Sequence, residues 1–229
     1  MLYLLPNALH ESQRPPQYIE ELVKELDGVI CENEKVARAF LKHYVLKMPL
    51  QSFPLLLLNE HTKPEELDAL IQPLVAGQNW GLLTDAGLSC IADPGQPLVA
   101  LARRKKIAVS ALYGPCSIIM ALQLSGFSGQ RFSFNGYLPR EKAARQSELK
   151  RFEKLAKSYD QTQIFIEAPY RNKELMADCI ETLSPDTPLA VAWDLTAPTE
   201  EVIVKKVALW KKDALPDIHK KPAIFLLHW

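Results

Sequence analysis

Long apolar runs are missing from this sequence. Runs such as Leu55–Leu58 fall far short of a bilayer's thickness, so no membrane partner is expected. Cysteine is sparse and scattered. Cys31, Cys90, Cys116 and Cys179 form no CxxC pair, which argues against a zinc site or a disulfide frame. No metal is expected, and reduced thiols in a cytoplasmic protein fit better. Neither charge is in excess: 27 Lys and Arg balance 27 Asp and Glu. Any nucleic-acid role must then rest on a local basic patch. Glycine is scarce, nine in 229 residues, and forms neither a GxGxxG run nor a Walker A loop ending in GKS or GKT. Those two phosphate cradles are excluded. The opening MLYLLPNALHESQ has no basic region and no small-residue cleavage site, so a secretory leader is not expected.

What is present is an ordinary globular composition, 48% apolar and 24% charged, with enough chain for two small domains. Short apolar runs alternate with helical patterns. Leu2–Leu5 reads as a strand stopping at Pro6. Tyr18, Ile19, Leu22, Val23 and Leu26 give a helix that Gly28 ends, and Val29–Cys31 is a buried strand. Leu55–Leu58 and Gly81–Thr84 are further strands. Between them Leu67, Leu70, Ile71, Leu74 and Val75 form one amphipathic stripe. The helix Gln96–Lys105 and the strand Ile107–Ala111 complete an alternation that predicts a parallel sheet covered by helices. Beyond Tyr113 the rhythm changes. Strands at Leu189–Leu195, Glu201–Val204 and Ala223–His228 lie close enough to include antiparallel neighbours. The reading is α/β, with two domains: 1–112 with a parallel sheet and 113–229 with a mixed sheet.

The stretch TDAGLSCIADPG (84–95) follows a strand of the first domain. Ligands bind open parallel sheets at this end, and Gly87 lets backbone come close to one. The same residues also suit an ordinary Asp/Gly/Pro turn. YGPCS (113–117) then opens a second helix at Ser117, which can cap that helix or offer its hydroxyl to a ligand.

Five ordered motifs, TDAGLSCIADPG, YGPCSIIMAL, FNGYLPREKAAR, FIEAPYR and WDLTAPTEEV, resemble the tetrapyrrole methylase superfamily. Among its branches they are most similar to the ribosomal RNA small-subunit cytidine 2′-O-methyltransferases. The resemblance runs from LYLLP to PAIFLL. It implies two α/β domains of the tetrapyrrole methylase fold, S-adenosylmethionine in the cleft between them, and a homodimer. It places cofactor contacts at Pro6, Asp85, Ala86, Gly87, Cys90, Ile91, Ser117, Ile118, Glu167, Ala168 and Ala223. It implies small-subunit ribosomal RNA, or the small ribosomal subunit, as partner. Arg140, Lys142 and Arg145 of the basic segment after LPR would hold phosphates, although Glu141, Glu148 and Glu153 lie among them and can pair with them instead.

The chain departs from the family pattern in places. PNALHES (6–12) has His10 and Glu11 where the RNA-modifying branch has Gly and Asn. ENEK (32–35) has Asn33 and Lys35 where Asp and Arg are usual. WDLTA (193–197) has Trp193 and Ala197 for Arg and Lys. A ribose hydroxyl needs a base during attack. Glu32 is the first expectation for that role, with His61 and Asp85 behind it, and Glu32 can equally cap the helix that follows. The rival readings are methylation of a tetrapyrrole and a cofactor-binding relative without chemistry.

Overall fold

A computed structural model describes all residues, 1–229, as two compact units, Met1–Cys116 and Ser117–Trp229. The first unit carries strands β1 (Leu2–Asn7), β2 (Gly28–Cys31), β3 (Leu55–Leu57), β4 (Trp80–Leu83), β5 (Gly87–Leu88) and β6 (Val109–Ala111). Its helices are α1 (Glu20–Glu25), α2 (Glu34–Leu41), α3 (Leu67–Leu70), α4 (Gln72–Val75) and α5 (Gln96–Arg104). The order β3-β2-β4-β1-β6 is parallel throughout, and only the two-residue β5 runs antiparallel, against the end of β1. Buried side chains alternate across this sheet, as the strand pleat requires. Val29, Cys31, Leu5 and Leu83 pack with Val23, Phe40 and Leu41 on one face. Ile30, Leu2 and Leu82 pack with Ile71, Leu74 and Leu98 on the other. Both faces are covered, which is why the strands read as near-continuous apolar runs.

The second unit has strands β7 (Phe132–Tyr137), β8 (Thr162–Ile166), β9 (Pro188–Trp193), β10 (Glu201–Lys206) and β11 (Ala223–Leu227). Its helices are α6 (Ser117–Ser125), α7 (Lys142–Tyr159), α8 (Asn172–Thr182) and α9 (Val207–Trp210). The sheet order is β10-β9-β11-β8-β7, antiparallel except between β7 and β8. Phe152, Phe165, Trp193, Trp210 and Phe225 form its core. No helix of the chain is long and apolar enough to cross a membrane.

Several expectations from the pattern are corrected. β1 does not stop at Pro6 but runs on to Asn7, because Pro6 and Asn7 pair with β5 at a sheet end. Gly28 is not a helix stop: α1 ends at Glu25 and Gly28 begins β2. A Cβ at Gly28 would lie 2.5 Å from the Trp80 ring, so glycine is required there by close packing. The stripe over 67–75 is two short helices rather than one. Pro73 has no N–H to donate to Ala69, and the ladder breaks at Ile71. Val75 is exposed at the end of that broken stripe.

Candidate functional site

Register brings the first group of site residues together. Leu5 and Cys31 both pair with Leu83, so Pro6, Glu32 and Thr84 stand one residue further on, at the carboxyl edge of the parallel sheet. Glu32 is half-buried there. Its Oε1 accepts from the Thr84 hydroxyl at 2.5 Å and from the Asp85 N–H at 3.2 Å. Burial is the main cause that raises its carboxyl above the ordinary value; the two donors offset part of this, while Asp93 and Asp85 add to it. Burial likewise raises Asp85. Glu32 does not cap α2. Asn33 does, accepting from the Lys35 N–H at 2.9 Å, which leaves the Glu32 carboxylate for the sheet edge.

The loop after β4 is held by three polar residues that sequence reasoning did not single out. Asn7, nearly buried, donates from Nδ2 to the carbonyls of Thr84 and Asp85, at 3.1 and 3.0 Å. Ser89 donates to the carbonyls of Leu5 and Leu82. Asp93 accepts from the N–H groups of Cys90 and Gly95 at 2.6 and 2.7 Å. Their signal in the sequence is faint: a short polar residue just beyond an apolar strand is also what any turn uses.

Gly87 sits at φ +76° and pairs with Asn7. An added Cβ would stand 3.1 Å from Leu9 Cδ2 and 3.4 Å from the Pro115 carbonyl oxygen. Cys90 and Ala92 also have positive φ, at 70° and 60°. Pro6 is buried, Asp85 and Ala86 are exposed, and Ile91 presents an exposed apolar side chain. Burial, with a contribution from Asp93, pushes the Cys90 thiol up to about 11, so it is not an ionised nucleophile. His61 lies in the turn after the edge strand β3. Its ring is exposed, 3.6 Å from Glu60, and does not join the Glu32 group.

In the second unit, Glu167 and Ala168 follow β8. The pairing of Ile224 with Ile166 puts Ala223, buried, at the same end. Glu167 is buried. Its Oε1 accepts from the Ala168 N–H, and its Oε2 lies 3.0 Å from Arg171 without a well-formed hydrogen bond. Ser117 is the first helical residue of α6, followed by buried Ile118.

The basic segment needs a correction. Arg145 is fully buried and cannot meet a phosphate. Its guanidinium donates to Asp178 and to Glu174, each at 2.6 Å, and to the carbonyls of Pro139 and Arg140. Lys142 is exposed but pairs with Glu181 at 2.9 Å. Arg140 is exposed.

This arrangement is a sheet-edge loop fixed by side-chain hydrogen bonds, beside a half-buried carboxylate. Residues 19–209 match the Tetrapyrrole (Corrin/Porphyrin) Methylases. The chain belongs to the tetrapyrrole methylase family. Among its relatives is a ribosomal RNA small subunit methyltransferase I of Haemophilus influenzae, 30% identical, covering 92% of this chain and 72% of that protein. The protein of that name from Buchnera aphidicola subsp. Schizaphis graminum is 31% identical over 93% of this chain and 73% of its own. The one from Vibrio cholerae serotype O1 is 29% identical over 88% and 67%. The solved methyltransferase CobJ superposes with a TM-score of 0.66 at 13% identity, covering 99% of this chain and 93% of its own. The cobalt precorrin-4 methyltransferase CbiF gives 0.64 at 16%, covering 100% and 94%. At such identities these two show the fold, which is that of the tetrapyrrole methylases. As a tetrapyrrole methylase family member the chain is a methyltransferase with S-adenosylmethionine as methyl donor.

Proposed function

We propose that this enzyme methylates a ribose 2′-hydroxyl of small-subunit ribosomal RNA. The observation that carries the chemistry is Glu32, a half-buried carboxylate with a raised pKa fixed by Thr84 and Asp85 at the sheet edge. The relatives named as ribosomal RNA small subunit methyltransferases carry the acceptor class. S-adenosylmethionine supplies a methyl group already activated on its sulfonium. The residues around Pro6, the 85–91 loop, Ser117, Ile118, Glu167, Ala168 and Ala223 would hold it. Within the first unit the loop suits such a cofactor: positive φ at Gly87, Cys90 and Ala92 and an exposed apolar Ile91. The protein's own part is then to place the hydroxyl, exclude water and take up its proton. Glu32 takes that proton, and Asp85 supports it. Arg140 adds a phosphate contact.

Two departures that favoured an inactive relative lose weight here. Asn33 performs helix capping as well as the usual Asp does. Trp193 is buried in the second unit's core, where its bulk is used for packing. The buried and scattered thiols support work in a reducing cytoplasm, and the family resemblance supports a homodimer. The test is transfer of labelled methyl from S-adenosylmethionine to purified small ribosomal subunits, with a tetrapyrrole tried in parallel. Label in the RNA is expected. Label only in the tetrapyrrole would move the acceptor to the rival class.

A further inference from the structure

The sequence departures fall in two separate segments, His10 with Glu11 and Asn33 with Lys35, yet all four line one groove of about 470 Å³ in the first unit. Asp85 lines it too, at the sheet-edge end, beside the backbone N–H that binds Glu32. The opposite wall is α2. Lys35, Arg38 and Lys42 recur on it at helical spacing, and all three line a second groove of about 650 Å³ on the flank of the same helix. Lys35 belongs to both grooves and so stands on the ridge between them. Arg38 pairs with Glu34 at 3.5 Å, whereas Lys35 and Lys42 form no ion pair. On α7, Lys142, Arg145 and Arg151 are each held by carboxylates, and only Lys150 and Lys154, further along the helix, form no ion pair.

The two grooves together are polarised: the Asp85 carboxylate lies at the sheet-edge end of the first, the free Lys35 ammonium on the ridge, and the free Lys42 ammonium in the second. Glu11 on the rim limits how far an anion can slide toward the 8–13 segment. We propose that the acceptor RNA strand crosses this ridge, with the target ribose in the first groove toward Asp85, one phosphate on Lys35 at the ridge and the next on Lys42 in the flanking groove. Resting on the ribosomal RNA reading above, it names α2, rather than α7, as the RNA-holding element. The departures at His10, Glu11, Asn33 and Lys35 then set which strand is accepted.

The test compares wild type with Lys35→Glu/Lys42→Glu for binding and methylation of small-subunit ribosomal RNA across a salt series. The double variant should lose at least about tenfold in RNA affinity, and its salt slope should fall by about two, one for each lysine. Affinity for S-adenosylmethionine should stay as in the wild type, and Lys35→Arg should bind RNA normally. If the wild type methylates RNA and the double variant matches it in affinity and salt slope, the groove assignment is overturned and the function stands. If the wild type neither binds nor methylates the RNA, the function reading fails and takes the groove with it.

Discussion

Glu32 is a residue whose environment works against its charge. Its carboxyl is half-buried, so the fold favours the protonated form, while a base must be ionised. Two consequences separate by sign. Methyl transfer, as kcat/KM, should fall on the acid side with an apparent pKa above the ordinary 4.5. Stability runs the other way: the cost of holding the charge is absent below the ordinary value and complete once pH passes the raised one. Glu32→Gln keeps an oxygen for Thr84 and carries no such cost. It should lose transfer by about 10²-fold or more and melt no lower than the wild type at pH 8. A lowered melting temperature with normal transfer would assign Glu32 to structure alone. Gly87→Val is the matching test of the loop. A β-branched residue at φ +76° is strained and crowds Leu9, so calorimetry should find cofactor affinity lost. Glu32 was legible in the sequence as an acid following a buried strand. Its partner Thr84 was not, because the pair meets only through the β2–β4 register.

Among elements, the helix read as RNA-binding spends both of the cations expected there to hold phosphates, Lys142 and Arg145, on carboxylates. Arg145 was expected to face solvent. It turns instead onto α8, where Asp178 and Glu174 receive it. Nothing in the α7 pattern alone reveals this, since the two acids lie about thirty residues on. Arg145→Ala should leave Asp178 buried beside only Lys142 at 3.8 Å, and cost about 3 kcal/mol in urea unfolding. A variant as stable as the wild type would make the network idle. Strands and most helices were legible because both faces of the first sheet and one core of the second are filled by apolar runs. The misreadings at Gly28 and Pro73 fall where a close aromatic ring or a proline overrides the pattern, while at Pro6 pairing with β5 carries the strand past the expected stop. Helix α2 entered the sequence reading only as the helix that follows Glu32. Its basic stripe gains meaning only beside the 8–13 segment, which the fold brings to it.

At the scale of the whole molecule, the chain spans 67–73% of the relatives described above and shares the tetrapyrrole methylase fold. Methyl donor and fold were legible from five ordered motifs spread over nearly the whole chain. The acceptor was less so, because four of the departures, His10, Glu11, Asn33 and Lys35, line the groove proposed for it. The most direct measurement gives wild type and Glu32→Gln labelled S-adenosylmethionine and small ribosomal subunits, then digests the RNA in alkali. A methylated 2′-oxygen cannot attack its neighbouring phosphate, so the label should survive in an alkali-stable dinucleotide from the wild type. The variant should bind cofactor and yield none. Label released as a mononucleotide, or equal transfer by the variant, would contradict a ribose acceptor activated by Glu32.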